Sequence, residues 1–138
     1  MMVIKNKYDM YLQAQNSKPL DNSQTIYQRA LLELKAGKKQ THWMWFIFPQ
    51  TPKPNMSDLS KKFALTSKEE AKAYLEHRTL GKRLIECTEA VLRHKNKTLE
   101  EIFGTALDVQ KFKSSMLLFS HVDESGVFRE VLENCFNK

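Results

Sequence analysis

Nine residues, His42-Trp43-Met44-Trp45-Phe46-Ile47-Phe48-Pro49-Gln50, hold both tryptophans of the chain and two of its eight phenylalanines. Four large rings within six positions carry more apolar area than a short solvent-facing segment can leave wet. Burying each ring is worth about 2–3 kcal/mol. The segment therefore either anchors a core or lines a pocket. From Thr41 to Phe48 the β-propensity is high, yet no second convincing strand exists to pair with it. An isolated strand would leave its backbone donors and acceptors unsatisfied. The expectation is a short buried helix, capped by Thr41 and ended before Pro49.

Helical signals fill the remainder. Tyr8, Tyr11, Leu12 and Gln15 form a short amphipathic stretch, and Asn16 to Asn22 reads as a loop. Ser23 is placed to cap a helix that carries Ile26, Tyr27, Ala30, Leu31 and Leu34 and stops at Gly37. Ser57 caps a helix through Phe63. Ser67-Lys68-Glu69-Glu70 and Thr98-Leu99-Glu100-Glu101 have the capping-box form. The first opens a helix through Ala73, Tyr74 and His77. A turn near Thr79 precedes another that carries Leu80, Leu84, Cys87 and Val91. The second box opens a short helix ended by Gly104. The stretches Ala106 to His121 and Val127 to Phe136 complete an all-α reading: one domain, residues 1–138, built as a compact bundle of about six to eight short helices.

The 138 residues suit a single domain. No apolar run approaches the ~18–20 residues of a membrane span, and Met1 to Lys7 lacks the apolar stretch of a signal peptide. A cytoplasmic location without membrane association is expected. Cys87 and Cys135 are too few and too far apart for a disulfide framework or zinc site, and they read as buried small hydrophobes. His77, His94 and His121 have no mutual spacing that suggests a metal. No P-loop, dinucleotide-binding turn or nucleophile elbow is present, so no cofactor is expected. The net charge of +6 permits contact with phosphates. Its basic residues are dispersed as pairs such as Lys38-Lys39, Lys61-Lys62 and Lys82-Arg83, without a nucleic-acid-binding signature. A solvated surface is favoured over nucleic-acid binding.

Chemistry concentrates after Gly104. On a helical wheel Asp108, Lys111 and Ser115 share a stripe roughly 60° wide. Val109, Phe112, Met116 and Phe119 flank it on one side, Leu107 and Leu118 on the other. Charges inside an apolar half must be paired, hydrated in a pocket or bound to a ligand. An Asp108–Lys111 ion pair and a ligand or catalytic site both satisfy that demand. His42 has a pKa near neutrality, which suits a general base; beside two tryptophans it equally suits a core position. Trp43 and Trp45 are core residues first and stacking platforms second. Gln50 serves either as a loop hydrogen-bonder or as a ligand reader.

The blocks AGKKQTHWMWFIFPQ, EAKAYLEHRTLGKRLIECTEAVL, EIFG and DVQKFKSSMLLF occur in an order and spacing similar to those of a small bacterial family of unknown function (domain of unknown function 1810, sometimes mislabelled calpastatin). The resemblance runs from about Tyr8 to Phe136. It implies a compact, all-helical, monomeric domain with no established activity. That family usually has a Gly-Leu-Gly turn between Pro-Gln and a serine. Here Thr51-Pro52-Lys53-Pro54-Asn55-Met56 precedes Ser57, so any backbone approach to a ligand that those glycines permit is altered. Leu117 replaces a usual threonine and points to solvent on the wheel. A more distant similarity is to the helical NADAR (YbiA-like) domains, which act on N-glycosidic bonds of ADP-ribose-type molecules.

These residues suggest a pocket between the aromatic segment and the last long helices, suited to a small phosphorylated nucleoside such as ADP-ribose. Trp43 or Trp45 would stack on a ring, Lys111 and Arg83 would neutralise phosphate, and His42, Gln50 and Ser115 would complete the lining. Asp108 would orient the ribose or, in an N-glycosidic hydrolase, act as the catalytic carboxylate. The alternative is a non-catalytic protein-interaction module whose aromatics form its core.

Overall fold

The computed structural model describes residues 6–19, 23–54, 56–123 and 126–136. Among them are nine α-helices, one more than the upper expectation, and no strand. They are α1 (Lys7–Asn16), α2 (Ile26–Ala36), α3 (Met44–Ile47), α4 (Asp58–Lys62), α5 (Lys68–Glu76), α6 (Arg78–Leu92), α7 (Leu99–Phe103), α8 (Ala106–Ser120) and α9 (Val127–Val131). A π-helical turn, Leu132–Phe136, continues α9 where the sequence suggested a regular helix. None of these helices is long and apolar enough to cross a membrane.

Local chemistry explains the boundaries, including those the sequence misplaces. Thr25, not Ser23, caps α2: its hydroxyl accepts from the Gln28 N–H while the Gln28 side chain accepts from the Thr25 N–H. Two orphan donors are satisfied reciprocally, which Ser23 offers no partner to match. Gly37 stops the helix at φ 79°, a conformation costly for any residue with a Cβ. The Thr98–Glu101 box closes as expected. The Ser67 box closes only by half: Ser67 accepts from the Glu70 N–H, but the Glu70 carboxylate takes the Thr66 N–H, the Thr66 hydroxyl and Lys7 instead. The turn expected near Thr79 lies at His77, whose Nδ1 accepts from the Thr79 and Leu80 N–H groups and so opens α6. The expected loop after α1 begins at Ser17; positions 20–22 lie outside the described residues.

The aromatic segment is indeed a short buried helix, α3. Trp43, Met44, Phe46, Ile47 and Phe48 are each at most 5% exposed. Thr41 does not cap it, since its N–H and hydroxyl are both drawn to Glu33. From α3 the rings spread two ways. Phe46 leans on Phe63, and Phe63 meets Tyr11, which stands edge-on to Tyr74. Phe48 stands edge-on to Phe112 at 4.9 Å, and Phe112 packs on Phe103 at 4.8 Å. The segment thus links α1 and α5 on one side to α7 and α8 on the other.

Candidate functional site

Glu33, in the third turn of α2, organises the chain that leads into α3. Its carboxylate accepts from Arg29 Nε (3.3 Å), the Gln40 N–H (2.8 Å), the Thr41 N–H (3.1 Å), the Thr41 hydroxyl (2.7 Å) and Trp43 Nε1 (3.0 Å). Burial pushes its pKa up, but the hydrogen bonds from Gln40, Thr41 and Trp43 outweigh burial and hold it below the ordinary glutamate value. The loop so fixed lays Lys39 across the Trp43 indole, 5.2 Å from the ring centroid, and against Asp108 Oδ2 at 3.2 Å. Lys111 reaches Asp108 Oδ1 at 3.7 Å.

These contacts place the residues singled out by the sequence. Asp108 is shared between Lys39 and Lys111, so the wheel's polar stripe is an ion triad whose third member comes from another part of the chain. Trp43 is fully enclosed, with its N–H spent on Glu33 and a lysine over its ring. It has no open face for a base and acts as a core pillar. Trp45 is half-buried, edge-on to Phe46. His42 is exposed. Gln50 is buried, and its carbonyl accepts from the Leu65 N–H at 2.9 Å, joining the chain after α3 to the segment before α5. Arg83 is not brought to Asp108: it belongs to a separate cluster, donating to Gln15 Oε1 at 3.1 Å and stacking 4.5 Å from the Tyr27 ring. Leu107, expected to flank the stripe, is 65% exposed in the first turn of α8, and Leu117 faces solvent as the wheel requires.

Ser115 is completely enclosed, and its hydroxyl has no partner among the described residues. Removing an unpaired buried hydroxyl relieves its desolvation cost. Ser115→Ala is expected to leave the denaturation midpoint unchanged or to raise stability by about 1 kcal/mol. A comparable loss would mean that the hydroxyl has a partner, such as enclosed water. Cys87 is equally inert: burial first, then the nearby Glu86, pushes its thiol up to about 12.

The open site lies elsewhere on α8 and includes no member of this triad. A groove of about 370 Å³ runs between the 51–53 loop, the start of α5 and the outer side of α8. Leu117 and Leu118 form its floor, while Thr51, Ser67 and Ser114 contribute hydroxyls. Lys53, Lys68 and His121 stand around it, and no carboxylate is among the described lining residues. Lys53 Nζ donates to the Ser114 hydroxyl, which ties the loop to α8 across one end. The loop here, Thr51 to Lys53, opens the segment in which the resemblance led to the expectation of a Gly-Leu-Gly turn. Sequence reasoning missed this constellation because its members come from three remote segments. The half-formed capping box at Ser67 marked the position of Lys68, but nothing local signalled that Lys53 and His121 join it. Glu33, by contrast, was within reach: the wheel puts it about 20° from Ile26, inside the apolar face of α2.

The family model described as "Protein of unknown function (DUF1810)" matches residues 5–138, and the chain belongs to that family. Among solved structures, the conserved hypothetical protein Rv1873 from Mycobacterium tuberculosis has the same fold. It superposes with a TM-score of 0.83 at 36% identity, over 95% of this chain and 88% of that one. Neither match is to a NADAR domain. No curated protein matches the chain.

Proposed function

We propose that this member of the DUF1810 family is a small-molecule-binding domain that takes a phosphorylated nucleoside in the groove between the 51–53 loop, α5 and α8. The observation that carries this reading is the lining: three basic side chains and no carboxylate among the described residues, set around an apolar floor. Phosphate oxygens suit Lys53, Lys68 and His121. A base or nicotinamide ring lies flat on Leu117 and Leu118, and the hydroxyls of Thr51, Ser67 and Ser114 suit a ribose. The volume falls within the roughly 300–1,000 Å³ of small-molecule sites. The ligand class is the one suggested by the sequence, but the contacts pass from Trp43, Arg83 and Asp108 to a different surface. Asp108, held between two lysines, is assigned a structural role, so the reading is binding and not N-glycosidic cleavage. It carries with it a cytoplasmic location, where such metabolites are made, and a monomer, since the groove is complete within one chain.

Titration of ¹⁵N-labelled protein with AMP, ADP-ribose, nicotinamide mononucleotide and inorganic phosphate tests it. Saturable shifts are expected at the amides of Thr51, Lys53, Ser67, Lys68 and residues 114–121. Charge-assisted hydrogen bonds are worth about 1.5–3 kcal/mol each, so Lys53→Glu with Lys68→Glu weakens binding by at least tenfold. Shifts that persist in this double variant, or none with any compound, would reject the proposal. The second outcome favours an interaction module that uses the exposed Leu117 as a contact.

A further inference from the structure

We infer that a second cavity, separate from the groove, binds an amphipathic monoanion, a carboxylate carried on an aromatic or short aliphatic body. This cavity holds about 270 Å³ and lies between the end of α6, α7, the first turns of α8 and the terminal π-helix. Val91, Leu99, Ile102 and Val109 supply its apolar lining, none more than 9% exposed, beside the polar side chains of Thr98 and Asn134. Its rim is basic. His94, Lys95 and Lys97 fall within four successive positions, against Glu100 as the acid among the described lining residues.

Two of these bases are already held in place. His94 Nε2 lies 2.6 Å from the Leu34 carbonyl, and Lys97 Nζ donates to the Gly37 carbonyl at 3.3 Å. Both thereby satisfy the C-terminal end of α2, which fixes the rim without closing it. Lys95 is exposed beside them, with a strongly hydrated ammonium on a long stem that can turn over the cavity mouth. The third wall is the π-helix, which contributes Asn134, Cys135 and Phe136. A π turn is wider than an α turn and recurs where a helix borders a functional site. Its Phe136 ring lies tilted against Phe112 at 6.4 Å and under Lys113 Nζ at 5.4 Å, which holds this part of the cavity lining in place. A cavity that sets apolar side chains beside bases rewards a ligand with one apolar body and one negative end. It gives no comparable reward to a neutral molecule, which leaves the rim unused, or to a polyanion, which cannot desolvate.

The test is a ¹⁵N titration with 2-naphthoate, octanoate and the neutral isostere 2-naphthalenemethanol. With both carboxylates, saturable shifts are expected at residues 94–99 and 134–136, and the alcohol binds at least tenfold more weakly. Lys95→Glu, a change on an exposed side chain, weakens naphthoate binding by about tenfold. Val109→Phe fills the cavity and abolishes binding, with the melting temperature reporting that the variant remains folded. The Lys53→Glu, Lys68→Glu variant binds naphthoate as the parent does, and AMP does not compete with it, so the two sites succeed or fail independently. Equal affinity for the alcohol, insensitivity to Lys95→Glu, or no saturable shift up to millimolar ligand overturns the inference.

Discussion

Replacing Glu33 with alanine lowers the stability of the protein by about 2–4 kcal/mol, since a buried donor left without its acceptor costs about 1–3 kcal/mol. The cost arises from what the carboxylate leaves behind. The Gln40 and Thr41 N–H groups, the Thr41 hydroxyl and the Trp43 indole N–H all lose their acceptor together. Trp43 is fully enclosed, so its N–H finds no water unless the core opens. Glu33→Gln is expected to lose less in packing but still to destabilise, because an amide presents two donors to a nest made of donors. The same carboxylate sets an acid limb. Its folded pKa is held below its unfolded value of about 4.3, so the folded state favours the ionised form. The stability this provides is complete above that unfolded value and is lost as pH falls through the lower folded value. Urea denaturation from pH 7 to pH 3 checks it: the parent should lose part of its stability below about pH 4.3, and Glu33→Gln should show a shallower loss. Parallel curves would assign the acid limb to other carboxylates, of which Glu70, also depressed by Thr66 and Lys7 against its own burial, is the first candidate.

Gly81→Ala is expected to cost about 3 kcal/mol, although in most helix interiors the change gains nearly 1 kcal/mol. The sign reverses because α5 turns sharply into α6 at His77 and carries its own backbone back over the first turn of α6. A Cβ on residue 81 would stand 1.9 Å from the Leu75 carbonyl oxygen and 2.8 Å from its carbon. Both are backbone atoms, so no rotamer relieves the clash; α5 and α6 must part. Gly81 is helical with an ordinary φ, so the effect is one of space alone. Thermal or chemical denaturation reads it directly. A neutral or stabilising Gly81→Ala would mean that the α5–α6 corner opens freely, and that Tyr74, packed against Tyr11 and Phe119 just before it, is held less firmly than its rings suggest.

Much of the fold was legible in the sequence because the signals that carry it are local. Gly37 and Gly104 stop helices at positive φ, Thr98 with Glu101 starts one, and Ser57 starts another. Each depends on backbone groups within four residues, so the one-dimensional text contains the whole interaction. Some boundaries were missed although their signal is local, as with Thr25 and Gln28 at the start of α2; others were missed because a more remote partner displaced the local one. Thr41 deserts the aromatic helix for Glu33, eight residues earlier, and the Glu70 side chain turns away from Ser67 toward Thr66 and Lys7. The aromatic segment was read correctly as buried because four rings have no alternative to the core. Its surroundings were not readable, since which helices cover it depends on packing.

The site separated along the same line. Periodicity alone located Asp108 and Lys111 on one face and required that their charges be answered. Which answer the protein uses was decided only when folding brought Lys39 from the α2–α3 loop to Asp108 and sealed Trp43 beneath it. Likewise the sequence showed that basic residues are plentiful and dispersed. Only the tertiary structure gathered Lys53, Lys68 and His121 around one groove, and His94, Lys95 and Lys97 around a separate cavity. Helix boundaries and buried faces follow from interactions a few residues apart. A binding surface is a juxtaposition of segments distant in the chain, and no spacing within the sequence records which of them will meet.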